Sequence, residues 1–125
     1  MLASKEAMAT IAVRDVKAAR QFYEGKLGLR PLSTDMPEAP VYQSGSSKVL
    51  LYQSQYAGTN KATAATWPVG DDIESEVQAL KAKGVTFEHY DLPGMTRKGE
   101  VHVGGGTKAA WFKDPDGNIL ALVSG

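Results

Sequence analysis

The 125-residue sequence contains no cysteine, and its 14 basic and 14 acidic residues give a formal net charge of zero. The lack of cysteine excludes disulfides and thiolate chemistry. The lack of net charge argues against nucleic acid or an anionic membrane as the main partner, because both select basic surfaces. The sequence also has no apolar run long enough to span a bilayer or to form a signal peptide. We therefore expect a cytoplasmic protein without a membrane or nucleic-acid partner.

The end of the chain carries its clearest local signal. Two apolar runs, 109–112 and 119–123, flank the sequence Asp114-Pro115-Asp116-Gly117-Asn118. Proline presets its own φ and glycine tolerates positive φ, so this segment favours a tight turn. An Asp-Gly pair between apolar runs is a strong hairpin signal. The sequence therefore predicts a closing β-hairpin over 108–123.

The first half predicts a strand, a helix and three further strands. Residues 7–13 alternate as a strand, with Ile11 and Val13 on one face. Asp15 is placed to cap a helix that ends near Gly25 and Gly28 and buries Phe22 and Tyr23. A second strand follows over 29–35, and a hairpin over 41–44 and 48–54 turns at 45–47.

The second half repeats this order after a polar, turn-rich connector over 55–63. A strand over 64–69 leads to a helix capped by Asp71 or Asp72. Its predicted apolar stripe consists of Ile73, Val77, Ala79 and Leu80, and the helix ends at Lys83-Gly84. A strand over 85–90 and a long loop over 91–107 precede the closing hairpin. Gly104-Gly105-Gly106 in that loop is predicted to be a turn rather than a phosphate cradle, because no helix follows it. The chain thus shows two βαβββ units of about sixty residues each.

Three motifs carry a family resemblance: V-R-D-V with F-Y and L-G-L in the first half, V-G-D-D-I in the second, and D-P-D-G-N near the end. Together they resemble the glyoxalase I, bleomycin-resistance and extradiol dioxygenase superfamily, which has the vicinal oxygen chelate fold. The resemblance implies an α+β fold of two tandem βαβββ modules forming a curved mixed sheet around a cleft. We expect one domain with module one at about 5–54, a linker at about 55–63 and module two at about 64–124. It also implies a homodimer.

The resemblance further implies positions for the metal ligands of the metal-dependent members. These positions fall on Met8, on Ala64 or Ala65 with Thr66 nearby, on Leu51 or Gln53, and on Ala121. These side chains do not suit a divalent catalytic metal, which needs about three nitrogen or oxygen ligands. We therefore predict no metal and no cofactor, and reject the glyoxalase I and dioxygenase mechanisms. Glu100 with His102, and Glu88 and Asp91 around His89, are other acidic and histidine groups that we expect to be solvated.

Loss of the metal ligands predicts an apolar cleft that binds a small, mostly apolar or aromatic organic molecule for sequestration or sensing. The segments 55–63 and 91–107 could cover this cleft. The competing interpretation of the aromatic residues is that they belong to the sheet core. The predicted ligand-binding residues are Met8, Thr10, Tyr42, Leu51, Tyr52, Gln53, Trp67, Trp111 and Ala121.

Two other functions stay open from the sequence. One is a metal-independent lyase, isomerase or hydrolase that acts on a small metabolite, with His89 and Asp91 as candidate catalytic residues because alternate residues of a strand share a face. The other is an interaction module whose cleft has lost its role.

Overall fold

The computed structural model describes residues 1–32 and 36–125, and in these ranges it has two helices and two mixed sheets. The predicted α+β class is confirmed. The first sheet has the order β1-β4-β3-β2, with β1 parallel to β4 and the other neighbours antiparallel. Its strands are β1 (Ala9–Val13), β2 (Arg30–Pro31), β3 (Val41–Ser44) and β4 (Ser47–Gln53).

The helix between β1 and β2 begins as the sequence predicts. Asp15 is the N-cap of α1 (Val16–Arg20), and its Oδ1 accepts hydrogen bonds from the backbone N of Lys17 at 3.0 Å and of Ala18 at 3.2 Å. The chain continues as a wider π-helical segment, Gln21–Lys26, which buries Phe22 and Tyr23. The capping carboxylate satisfies two backbone donors that the first turn of a helix leaves unpaired.

The second sheet repeats the first and extends it. Its order is β5-β10-β9-β8-β7, with β5 parallel to β10, and β6 also pairs with β9. The strands are β5 (Thr63–Pro68), β6 (Phe87–Glu88), β7 (Thr96–Lys98), β8 (Val101–Gly104), β9 (Thr107–Lys113) and β10 (Ile119–Val123), and α2 (Ile73–Ala82) lies between β5 and β6.

Helix α2 buries three of the four residues of its predicted stripe. Ile73, Val77 and Leu80 are buried at spacings of four and three, whereas Ala79 is exposed, so including Ala79 was wrong. A residue two positions after Val77 lies on another side of a helix. Asp72 occupies the N-cap position, although its side chain makes no capping hydrogen bond.

The segment 91–107 is not a structureless loop. It contains the hairpin β7–β8, in which Thr96 pairs with Val103 and Lys98 with Val101. Strands β6 and β8 lie end to end along the same edge of β9, because β6 pairs with residues 111–112 and β8 with 107–109. The strand predicted over 85–90 is correspondingly shorter. The strand predicted over 29–35 is observed at Arg30–Pro31, and its residues 33–35 lie outside the described part of the chain.

One core joins the two halves of the molecule. Ile11, Val13 and Leu51 from the first sheet belong to the same buried cluster as Phe112 and Leu120 from the second. Side chains alternate across a strand, so each sheet has a second face that points away from this core. We call these the outer faces. Sheet one presents Thr10, Ala12, Leu50 and Tyr52 on its outer face, and sheet two presents Thr66, Ala109, Trp111 and Ala121.

The predicted closing hairpin is present, and its turn also joins the two halves. Asp114 is buried and its Oδ2 accepts hydrogen bonds from Tyr23 Oη at 2.7 Å and from Asn118 Nδ2 at 2.8 Å. Asn118 Nδ2 also donates to the carbonyl oxygen of Ala12 in β1 at 2.8 Å, and Asn118 Oδ1 accepts from Gly58 N at 3.2 Å. The D-P-D-G-N motif therefore fixes the position of β1 and of the connector, in addition to making a turn.

Within the described residues, no helix is both long and apolar enough to cross a membrane.

Candidate functional site

The positions that the resemblance assigns to metal ligands carry unsuitable side chains in the folded chain too. Met8 directly precedes β1, Ala65 packs against the core, and Thr66 and Ala121 are paired neighbours on β5 and β10. Over residues 1–32 and 36–125, no three His, Asp or Glu side chains come together in a way that could hold a metal ion. A thioether, alkyl groups, one hydroxyl and the amide of Gln53 fall short of the about three nitrogen or oxygen ligands that a divalent catalytic metal needs.

Of the nine predicted ligand-binding residues, four lie on the core side of the sheets or at the end of a strand, and five lie on the outer side. Tyr42 and Leu51 are fully buried in the core, Trp67 packs against it, and Gln53 donates from Nε2 to the carbonyl oxygen of Arg14 at the end of β4. The other five lie on the outer side of the sheets, so the chain does not bring all nine together. These five are Met8, Thr10 and Tyr52 of the first half and Trp111 and Ala121 of the second.

The buried hydroxyl of Tyr42 has a hydrogen-bond partner. Its Oη donates to Glu24 Oε2 at 2.7 Å, and burial followed by this carboxylate raises the pKa of Tyr42 above its ordinary value of 10.0. The phenol therefore stays protonated and keeps its donor role. A buried polar group with a partner avoids the cost of desolvation.

The two tryptophans lie on opposite faces of sheet two. Trp67 is paired with Leu122 of the core, and it borders a cavity of about 240 Å³ together with Leu80 and Phe112. Its Nε1 donates to Ser44 Oγ at 2.8 Å. Trp67 therefore belongs to the side of the sheet that carries the helices.

Trp111 is half-buried on the outer face. It borders a different cavity, of about 380 Å³, with Tyr90, Leu92 and Ile119 as further apolar walls and the exposed cation Lys61. Its strand partner on β10 is Ala121, one of the positions assigned to a metal ligand. An open, mostly apolar cavity therefore lies on the face where the resemblance implies the cleft.

Trp111 also belongs to an aromatic cluster with Tyr90 and His102. Its ring centroid lies 5.3 Å from that of Tyr90 and 4.9 Å from that of His102, and both pairs are edge-to-face. His102 is only 1% exposed, and its Nε2 accepts a hydrogen bond from Tyr90 N at 3.0 Å. Tyr90 and His102 border a third cavity of about 300 Å³, which His89, Asp91 and Arg97 also line.

His89 is paired with a carboxylate other than the predicted one. Its Nε2 lies 2.5 Å from Glu100 Oε1, and Lys81 Nζ lies 3.1 Å from Glu100 Oε2. The hydrogen bond with His89, followed by that with Lys81, holds the pKa of Glu100 below its ordinary value of 4.5. No hydrogen bond joins His89 to Asp91 among the described residues. Sequence reasoning missed the pair because Glu100 is eleven positions away, in the turn of a hairpin that was predicted to be a loop.

Glu100 and His102 do not form a shared metal-binding face. Glu100 lies between β7 and β8 with its carboxylate bound to His89 and Lys81, whereas His102 points into the aromatic cluster. The expectation that these groups are solvated is therefore wrong for His102, which is 1% exposed because its ring packs against Trp111.

Comparison with known proteins agrees with this architecture. The sequence profile of the Glyoxalase/Bleomycin resistance protein/Dioxygenase superfamily matches residues 7–122. A search of curated proteins found no significant match.

Three solved structures illustrate the fold similarity. A glyoxalase family protein from Enterococcus faecalis has a TM-score of 0.72 at 22% identity, and the match covers 98% of this chain and 99% of that one. A metagenomic integron cassette protein from the Halifax Harbour sewage outfall has a TM-score of 0.70 at 19% identity, covering 96% and 98%. The fosfomycin resistance protein FosX from Mesorhizobium loti has a TM-score of 0.69 at 14% identity, covering 98% and 92%. With the family profile covering nearly the whole sequence, the chain belongs to the glyoxalase, bleomycin-resistance and dioxygenase superfamily.

Proposed function

We propose that this protein binds a small, mostly apolar or aromatic organic molecule on the outer face of sheet two, without a metal, for sequestration or sensing. The observation that carries the proposal is the place of Trp111. Its half-buried indole borders the 380 Å³ cavity and is the strand partner of Ala121, where a metal ligand is implied by the family resemblance. An aromatic side chain therefore lies beside the position where the resemblance implies a metal ligand.

The cavity has the size and chemistry of a site for a small ligand. Binding pockets are usually about 300–1,000 Å³ and mostly apolar with a few polar groups. Tyr90, Leu92 and Ile119 supply apolar walls, and Lys61 supplies a cation that could orient a polar substituent. The family name includes bleomycin resistance and one structural neighbour is a fosfomycin resistance protein, so antibiotics are a sensible part of a ligand screen.

We also propose that the protein is a cytoplasmic homodimer whose subunits cover each other's outer faces. Met8 and Tyr52 support this, because they are 43% and 41% exposed on the outer side of sheet one. Covering such apolar groups is favourable at about 25 cal/mol per Å². Light scattering should give twice the mass of one chain, and Tyr52→Asp should shift the mass toward that of one chain. A wild-type monomer at micromolar concentration would contradict the dimer.

Two single-tryptophan variants test the binding site. Trp67→Phe leaves Trp111 as the sole tryptophan, and Trp111→Phe leaves Trp67. Library compounds should quench or shift the emission of Trp67→Phe and should leave the emission of Trp111→Phe unchanged, because the two indoles lie on opposite faces. The opposite pattern would mean that the ligand binds in the cavity that Trp67 borders. Unchanged emission of both variants across a broad library would contradict the proposal.

A second candidate function is metal-independent catalysis with His89 as a general base. The specific observation in its favour is the close pair of His89 and Glu100, because a carboxylate that orients an imidazole is a recurrent arrangement in general-base catalysis. A substrate found in the ligand screen should then be turned over, and both His89→Gln and Glu100→Gln should slow the turnover. Unchanged turnover by His89→Gln would remove this function.

A further inference from the structure

We propose that the cavity of about 240 Å³ between Trp67 and Glu76, which we call the Glu76 cavity, binds a small organic ammonium ion that carries an apolar body. This site goes beyond the function proposed above. It lies on the side of sheet two that carries the helices, and it shares no lining residue with the 380 Å³ cavity beside Trp111, the Trp111 cavity.

The walls of the Glu76 cavity are mostly apolar and open to solvent. Leu27 and Leu29 come from the first half of the chain and the other walls from the second, so the cavity lies where the two halves meet. Leu27, Leu29 and Trp67 are only half-buried, so a ligand can reach them from solvent. Covering apolar surface that water contacts is favourable. The apolar wall residues besides Trp67 are Leu27, Leu29, Val69, Leu80, Phe112 and Leu122.

The charge of the cavity selects the polar end of the ligand. Glu76, an exposed residue of α2, is the only charged side chain among the described residues that line it. Over residues 1–32 and 36–125, the carboxylate of Glu76 has no ion pair and no side-chain partner. Glu74, two positions earlier, is by contrast bound to Lys108 Nζ at 2.7 Å. An unpaired carboxylate beside apolar walls attracts a cation and repels an anion.

The indole of Trp67 favours the same class of ligand. Its Nε1 donates to Ser44 Oγ at 2.8 Å, and this bond between the two halves holds the ring at the cavity. The only N–H of the indole is thereby occupied and offers an anion no donor. The ring of a tryptophan attracts ammonium groups. An indole and a carboxylate together therefore favour an ammonium ion over a neutral or acidic ligand of the same shape.

A neighbouring cavity determines the orientation of the bound ion. Ser44 and Trp67 also border a cavity of about 390 Å³, and that cavity is lined by the exposed cation of Lys48. An ammonium group directed past Trp67 toward Lys48 would meet a like charge, which is unfavourable. We therefore expect the apolar body to lie against Trp67 and the ammonium group to face Glu76.

Nuclear magnetic resonance of the full-length, ¹⁵N-labelled protein tests the site. The reporter is the indole N–H signal of Trp67, which the variants Trp67→Phe and Trp111→Phe distinguish from that of Trp111. The probes are cyclohexylammonium, the neutral cyclohexanol, the anionic cyclohexanecarboxylate, and methylammonium, which keeps the charge and lacks the ring. All four are titrated to millimolar concentrations at pH 7.

Cyclohexylammonium should shift the Trp67 signal in a saturable manner and should bind at least about threefold more tightly than cyclohexanol. Cyclohexanecarboxylate should bind more weakly than cyclohexanol because of the charge of Glu76. Methylammonium should give no saturable shift, because it has no apolar body to cover the walls. No saturable shift with cyclohexylammonium, or an equal affinity for cyclohexanecarboxylate, would overturn the proposal.

Two glutamate variants on the same helix test the role of Glu76. Glu76→Gln removes a charge at an exposed position, so it should fold, and we expect it to bind cyclohexylammonium about three- to tenfold more weakly. Its affinity for cyclohexanol should stay unchanged. The matched control is Glu74→Gln, which changes the net charge equally at an exposed position outside the cavity and should bind as wild type does. Equal affinities of the two variants for cyclohexylammonium would contradict the role of Glu76.

The outcome is independent of the function proposed above. The ammonium ions are tested apart from the library for the Trp111 cavity, and they should leave the indole signal of Trp111 unchanged, because the two rings lie on opposite faces of sheet two. A cyclohexylammonium shift confined to Trp111 would overturn the present proposal. Each cavity is thus read by its own indole, so either proposal can fail alone.

Discussion

Tyr23 and Asp114 are 91 positions apart, and the phenol of one donates to the carboxylate of the other at 2.7 Å. Both side chains are buried. Burial, followed by the charge of Asp114, raises the pKa of Tyr23 well above its ordinary value, so the phenol stays a donor. This bond connects the π-helical segment after α1 with the turn between β9 and β10, and so fixes one half of the chain against the other.

Tyr23→Phe should therefore lower the free energy of unfolding by about 1.5–3 kcal/mol, the usual contribution of a hydrogen bond to a charged group. Urea unfolding at pH 7 measures the change. Tyr56→Phe is the control, and it should change stability by less than about 0.5 kcal/mol because Tyr56 is exposed. Equal stability of the two variants would show that the Asn118 and backbone donors already satisfy Asp114.

Gly58 is expected to be intolerant of any side chain. Its φ is +71°, and a Cβ would lie 1.8 Å from the carbonyl oxygen of Asp116. Gly45 has a similar φ of +58° and no atom within 4 Å of a Cβ. Gly45→Ala should lower the free energy of unfolding by about 1–2 kcal/mol, because the left-handed conformation is the only feature there that is unfavourable for alanine. Gly58→Ala should lower it by at least about 2 kcal/mol more, because the backbone near Asp116 must also move.

Thermal and urea unfolding of the two variants measure this difference. The same comparison tests the connection between the linker and the D-P-D-G-N turn, because Gly58 N also donates to Asn118 Oδ1. Equal losses in the two variants would mean that the linker can move away from the turn without cost.

Glu100 should make stability depend on acid pH. Its pKa is lowered in the folded state, so its contribution is fully present above the ordinary Glu value near 4.5 and is lost as pH falls through the lower, folded value. Glu100→Gln should thus be less stable than wild type at pH 7, and the difference should shrink as the pH falls below about 4.5. Glu6→Gln, at an exposed position, is the control. A difference independent of pH would contradict a charge effect.

Metal ions should not stabilise the protein specifically. Because the side chains at the implied ligand positions do not suit a divalent metal, added Ni²⁺, Zn²⁺, Fe²⁺ or Mn²⁺ should leave the melting temperature unchanged, as should a chelator. A specific metal at a hundredfold excess over Kd would add about 2.7 kcal/mol to stability, which a thermal melt detects easily. Stoichiometric metal in the purified protein with a clear shift would overturn this prediction.

Much of the fold followed from local patterns. The Asp15 cap, the hairpin around Gly45 and the closing hairpin each depend on neighbouring residues, and each is observed where predicted. The hairpin β7–β8 was missed because its strands have only three and four residues, and the segment around them is rich in glycine, which also suits a loop. The site was less predictable. Trp67 and Trp111 have similar strand surroundings in sequence, yet one faces the core and the other faces the Trp111 cavity.

The sequence by itself determined the order of most elements, the caps and turns, and which residue types stand at the positions where the resemblance implies metal ligands, because these depend on residue type and short spacing. Only the tertiary structure decided which side of each strand faces the core, that His89 meets Glu100, and that Tyr23 meets Asp114. The physical reason is the two-residue period of a strand. A one-residue change in pairing moves the following side chains to the opposite face. The pair β5–β10 shows such a register shift between Ile119 and Leu120, where Ala64 of β5 has no partner in β10. The paired strands β5 and β10 and the contacting side chains named above are distant in sequence. The packing of the whole core, and not the local sequence, therefore selects the pairing.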